Sequence, residues 1–200
     1  SELYSGELNY RHRLEVGGAD YSFNLLAGIR AMRQDEDLLF TSIDNDLPGG
    51  IPDLSGDNFG TYRISTRNTL VGGQLGVETL VPLWEELVTL DLYGVGGVYG
   101  NHADVRIEYA DIDDSLTQIR QSRQEWDVAG VFEAAAHLTV RVYRGVRIKA
   151  GYRMLYLINI ATAPDQFARS GSASDFFGNS FDNDASTVFH GRSLGVSVDF

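Results

Sequence analysis

Ionised side chains recur at alternate positions along this chain: Glu7, Arg11 and Arg13 in "SGELNYRHRL", then Arg30, Glu78, Asp91 and Glu133, then Arg147, Lys149 and Arg153 in "VRIKAGYRMLYLI". On an extended backbone, alternate residues share one face. Turned into an enclosed space, these six cations and four anions must neutralise one another, because an unpaired buried charge is expensive. In a wider space, Arg147, Lys149 and Arg153 would instead form a cationic wall that selects anions. Strand number decides between the two: a barrel near eight strands has a filled interior, and one well above that has a water channel.

Two other groups of residues suggest chemistry. The acidic segments "DEDLLFTSIDNDLPGG", "ADIDDS" and "SFDNDAS" carry Asp44, Asp46, Asp111, Asp113, Asp114, Asp182 and Asp184. Their hard oxygens could ligate Ca²⁺ or bridge cations to anionic head groups. None has the spacing of a Ca²⁺-binding loop with its distal Glu, so a solvated, repulsive rim is the plainer account. "HGRS" invites a His190–Ser193 base and nucleophile, as in a barrel-wall lipid hydrolase. Three residues apart on a strand they face opposite sides, and a base must reach its nucleophile. Glu133 and His137 share a face but lie roughly 13 Å apart along a strand. No catalytic residue is therefore assigned, and no enzyme activity, cofactor or resident metal is expected. "GVGGVYG" lacks the Lys-Ser/Thr of a phosphate loop and lies within a strand pattern.

These side chains are positioned by seven segments with a period of two. Their apolar faces include Leu8, Tyr10 and Leu14; Phe23, Leu25 and Ile29; Val71, Leu75 and Val77; Val88, Leu90, Leu92 and Val98; Trp126, Val128, Phe132 and Leu138; Val146, Ile148 and Met154; and Leu194, Val196 and Val198. Short links ("EVGGADY", "VPLWEE", "VYRGV") alternate with long ones at about residues 41–60, 109–122 and 162–186. That alternation predicts an all-β, up-and-down antiparallel meander with its tight turns at one end. The 200 residues form one domain, with 43% hydrophobic residues, 22 Gly and only 4 Pro. There is no Cys, which excludes disulfides and thiolate metal sites, and the net charge of −12 argues against nucleic acid.

Periodicity alone leaves open which face is inside. A soluble ligand-binding barrel puts the apolar face in, and a transmembrane barrel puts it out. Three features favour the second. The runs reach the roughly 9–11 tilted residues of a membrane crossing. Tyr10, Tyr21, Phe23 and Phe200 cluster towards the short-turn end of the apolar face, and Tyr4, Trp126 and Tyr156 towards the long-loop end. Such aromatics flanking an aliphatic band suit the two water–lipid interfaces. The polar face is rich in Gly and Arg and poor in Lys, which suits a crowded lumen.

The ending "GRSLGVSVDF", with Leu194, Val196, Val198 and the terminal Phe200, resembles the C-terminal assembly signal of bacterial outer-membrane barrels, from which Arg192 departs. The segments "SGELNYRHRL", "LLAGIRAMRQDEDL", "NTLVGGQLGVE", "GYRMLYLINIATAPDQ" and "FHGRSLGV" are similar, in order along the chain, to strands of the planctomycete-type outer-membrane β-barrel family. The resemblance implies a bacterial outer-membrane location, lipid and the barrel-assembly machinery as partners, and a signal peptide and further strands upstream. It brings no catalytic residues. Parity agrees: the first and last segments run the same way, and bacterial single-chain barrels have even strand numbers. At least one upstream strand is expected, making eight or more. The expected function is a structural or passive pore-type surface protein with acidic outer loops. A plugged barrel that binds partners through those loops is the alternative.

Overall fold

The computed structural model describes residues 1–14, 22–43, 59–84, 87–112, 117–143, 145–166 and 183–198. These residues form seven strands and no helix: β1 (Glu2–Leu14), β2 (Ser22–Ile43), β3 (Phe59–Trp84), β4 (Val88–Ile112), β5 (Thr117–Tyr143), β6 (Val146–Ile160) and β7 (Ala185–Val198). They lie in one sheet in sequence order, each antiparallel to its neighbour. The expected meander is present. The β5–β6 hairpin is the tightest connection: Tyr143 pairs with Val146, and Gly145 takes a φ of 78°, a left-handed conformation that glycine adopts without a Cβ clash.

Two expectations are corrected. The segment 109–122 is not a long loop: Tyr109 pairs with Ile119 and Asp111 with Thr117, so only residues 113–116 separate β4 from β5. Similarly, β2 continues to Ile43 and β3 starts at Phe59. Among the described residues the sheet is not closed, since β1 and β7 each have a single partner strand; seven antiparallel strands were the number expected in these residues.

The sheet is nevertheless strongly curled. Arg30 on β2 reaches Glu133 on β5, three strands away, and Leu3 on β1 and Phe189 on β7 pack against the same buried cluster. Inward-facing glycines permit that curvature. A Cβ on Gly72 would lie 2.2 Å from the Val98 carbonyl oxygen and 2.8 Å from the Tyr99 ring. On its outward neighbour Gly73 the nearest atom would be 3.9 Å away.

The two faces exchange character partway up the strands. The outer face of β2–β5 is apolar as far as the row of paired residues Ala31, Val71, Gly100 and Val128. Two residues further on it becomes Arg33, Thr69, His102 and Trp126, and then Asp35, Arg67, Asp104 and Gln124. Inside, the order is reversed. Arg30, Glu133 and Gln74 are buried within the apolar-coated part, whereas Tyr62, Ile64, Ala103 and Val105 fill the interior of the charge-coated part.

Candidate functional site

The side chains with chemistry lie inside the curl, in three tiers. The central tier is built around Glu133. Its Oε2 accepts a hydrogen bond from Arg30 Nη1 at 2.5 Å, and its Oε1 lies 3.3 Å from Arg153 Nε. Arg30 also donates to Ser5 Oγ at 2.8 Å and lies 3.8 Å from Glu7. Gln74 donates to Glu7 and Asn9 and accepts from the Tyr99 hydroxyl at 2.8 Å. Six strands, β1 to β6, thus converge on one network. Arg30 and Glu133 have only 7% and 3% of their side chains exposed, so each depends on its partners for charge compensation.

The tier towards the short turns holds two separate pairs: Lys149 donates to Asp91 at 3.0 Å, and Arg11 lies 3.5 Å from Glu78. A cavity of about 660 Å³ opens there, lined by Asp91, Thr139, Arg141, Arg147 and Lys149. Arg13 faces the same interior and is exposed. The ten residues expected to form one network therefore share the inner face but divide into groups. They do not form a continuous cationic wall, because Lys149 and Arg153 are drawn to different acids.

The third tier was not anticipated from sequence. β6 ends at Ile160, just after Asn159, which adopts a φ of 56°. The following residues turn inward rather than outward. Ile160, Ala161 and Ala163 are at most 1% exposed. Asn68 grips Ala161 twice: its Oδ1 accepts the Ala161 N–H at 2.9 Å, and its Nδ2 donates to the Ala161 carbonyl at 2.7 Å. Glu36 accepts the Ala163 N–H at 3.1 Å, and Asn68 also bonds Gln34 and Asn101. The turn "ATAPDQ", expected as the start of a long outer loop, thus plugs the interior. An inward amide on three adjacent strands (Gln34, Asn68, Asn101) was the available sequence signal.

On the outside, Tyr10 is exposed within the apolar coat, whereas Tyr4 and Trp126 are exposed in the row just above it, with Arg33 and His102; Trp126 packs against His102 at a ring-centroid distance of 4.8 Å. Phe23 and Tyr156 are half-buried on that face. Tyr21 and Phe200 lie outside the described residues, as do Asp44, Asp46, Asp113, Asp114 and Asp182. Asp111 is the penultimate residue of β4, and Asp184 precedes β7. Among the described residues no group of three or more acids and histidines could hold a metal ion. His190 bonds the Tyr152 hydroxyl on the outer face, and Ser193 lies on the inner one, so the two do not form a catalytic pair.

Above the apolar coat, Arg33 and Arg67 both donate to Asp35 at 2.7 Å. Partial burial would raise the Asp35 pKa, but the hydrogen bonds from Arg67 and Arg33 outweigh it and hold the carboxyl below its ordinary range. The same bond raises the Arg67 pKa.

No protein-family model matches the chain, and no curated protein matches it.

Proposed function

We propose that this chain belongs to a bacterial outer-membrane β-barrel whose filled lumen makes it a structural or partner-binding surface element rather than an open pore. One observation carries the reading: the outer and inner faces exchange polarity along a single row of paired residues. Below it, Leu8, Ile29, Leu75, Val98 and Leu194 are 64–80% exposed on the outside. An exposed apolar face spread over the strands of a sheet is a liability in water and favourable in hydrocarbon. Above that row, Arg33, Asp35, Arg67 and Asp104 coat the outside and an apolar core fills the inside, as water on that side requires. On β2 the coat from Phe23 to Ala31 has about the span of one tilted crossing. The resemblance to the planctomycete-type outer-membrane barrels points the same way.

The Glu133 network and the plug formed by Ala161 and Ala163 support a closed lumen. The test is planar-bilayer recording of the full polypeptide, with cell-envelope fractionation alongside. A silent barrel recovered with the outer membrane is the expected result. A solute-sized conductance would restore the pore reading, and a detergent-independent soluble monomer would end both.

A further inference from the structure

The cavity of about 660 Å³ at the short-turn end has three cations among its lining residues, Arg141, Arg147 and Lys149, against one acid, Asp91. The chain as a whole has a net charge of −12, so this excess of positive charge is local. A cleft lined by one sign of charge concentrates ions of the other. Strand pairing fixes the arrangement. Arg147 is the direct cross-strand partner of Arg141 on one side and of Ser197 on the other. One inward row further on, Lys149 is paired with Thr139. Like charges directly opposite each other repel. The backbone nevertheless holds the two arginines in register: the Arg141 N–H donates to the Leu87 carbonyl at 2.8 Å, and the ladder shifts only after Arg141. An anion between the two guanidinium groups turns that repulsion into attraction.

Asp91 decides which anion fits. Its Oδ2 accepts from Lys149 at 3.0 Å, while its Oδ1 is shielded from solvent and has no hydrogen-bond partner among the described residues. A buried carboxylate oxygen left without a donor is costly, and it repels any anion that brings none. Monohydrogen phosphate brings one P–OH. Sulfate and the phosphate diesters of lipid head groups bring none, and phosphate monoesters lose theirs above about pH 6. We propose that the short-turn mouth of the lumen is a binding site for free inorganic phosphate. Its P–OH donates to Asp91 Oδ1, and its remaining oxygens accept from Arg141, Arg147, Thr139 and Ser197.

The site differs from a continuous cationic wall. Arg153 is engaged by Glu133 in the tier above, and Arg141 completes the cavity instead. The donors suit a tetrahedral ion: two guanidinium forks and two hydroxyls offer more N–H and O–H groups than the two oxygens of a carboxylate accept. Because the Glu133 network and the Ala161 plug fill the lumen beyond, the ion enters and leaves by the short-turn end. The proposal does not depend on the membrane reading, since every residue it uses lies inside the curl.

The test is isothermal titration of the full polypeptide, folded in detergent and freed of phosphate, with inorganic phosphate, sulfate and dimethyl phosphate at about pH 7.5, where monoesters have lost their proton and inorganic phosphate keeps one. Phosphate should bind saturably. Sulfate and dimethyl phosphate should bind at least about tenfold more weakly, because each leaves Asp91 Oδ1 unpaired. Arg141→Gln and Arg147→Gln should each weaken phosphate binding about tenfold or more, whereas Arg106→Gln, on the charged outer coat, should leave it unchanged. Asp91→Asn should narrow the gap between phosphate and sulfate, because an amide N–H can donate to either. Melting curves establish that each variant is folded, and the unmodified protein tests the proposal without any of them. No phosphate binding, or sulfate bound as tightly as phosphate, would overturn it. Dimethyl phosphate bound as tightly would overturn it in favour of lipid head groups. Undiminished binding by folded Arg147→Gln would place the ion elsewhere and overturn it too.

Discussion

Arg30 Nη1 and Glu133 Oε2 lie 2.5 Å apart although their strands are three places apart in the sheet. The contact spans the interior, so it records the curvature of the whole sheet. Removing one member of a buried pair typically costs about 3–5 kcal/mol, because the other charge is stranded. Glu133→Ala strands Arg30 and also releases Arg153. We expect a loss in that range from urea unfolding in detergent. Arg30→Met combined with Glu133→Leu should recover much of it, since the charges left behind are solvated: Arg153 is 61% exposed and Glu7 38%.

Gly72 and Gly73 are neighbours on opposite faces, and their alanine variants should behave oppositely. Both substitutions restrict the unfolded chain, a gain of roughly 0.4–1 kcal/mol where the native geometry accepts a Cβ. At Gly73 the nearest atom is 3.9 Å from the added Cβ, so Gly73→Ala should be neutral or mildly stabilising. At Gly72 the Cβ would fall 2.2 Å from the Val98 carbonyl oxygen and 2.7 Å from the Tyr99 Cα. Backbone cannot rotate away as a side chain can, so Gly72→Ala should destabilise by about 1–3 kcal/mol. Paired melting curves read the contrast.

Asn68→Leu should release the inner plug while preserving most of the side-chain volume. The Ala161 N–H and carbonyl would each lose a buried partner, at about 1–3 kcal/mol per group. The expected outcome is faster protease cleavage within 161–166 and intermittent conductance in bilayers. Unchanged cleavage would show that Glu36 and the packing of Ala163 hold the turn without Asn68.

Leu75→Arg separates lipid from water as the surroundings of the outer face. Leu75 is 69% exposed. A surface substitution in water usually stays within about 0.5 kcal/mol, whereas Arg on the lipid face at mid-bilayer costs about 2–4 kcal/mol. Urea titration of folding into vesicles should show the larger loss. Gln124→Arg, on the charge-coated part of β5, should show almost none.

Acidification should loosen the charged outer tier first. The Asp35 pKa is lowered in the folded state, so its contribution is complete above the unfolded aspartate value, near 3.9, and is lost as pH falls through the lower folded value. The Arg67 shift is upward and lies far above this window. Amide exchange of β2 and β3 around Asp35 and Arg67 should therefore accelerate below about pH 4. In Asp35→Asn it should already be faster at neutral pH, and its acid dependence should be weaker.

Sequence alone determined the period-two faces, the antiparallel meander and the polar residues that share the inner side, because strand geometry forces alternate side chains apart whatever they pack against. Arg30, Glu133 and Arg153 could be placed on one face without coordinates. The pairing of Arg30 with Glu133 could not, because it depends on how tightly the sheet curls, and Gly28, Gly72 and Gly151 permit that only through contacts across strands.

The upper halves of β3–β5 were hidden for a different reason. In β4 the apolar residues move from Leu92 and Val98 on one face to Ala103, Val105 and Ile107 on the other. A one-residue change of phase reads as the end of a strand when the surroundings are assumed constant. The strand is in fact unbroken, and tertiary structure reveals it because backbone pairing continues from Asn101 to Asp111 irrespective of which face is apolar. The inward turn at Ala161 was likewise decided only by the fold: Asn68 lies 93 residues away in the chain, and only the curled sheet brings its amide to the end of β6.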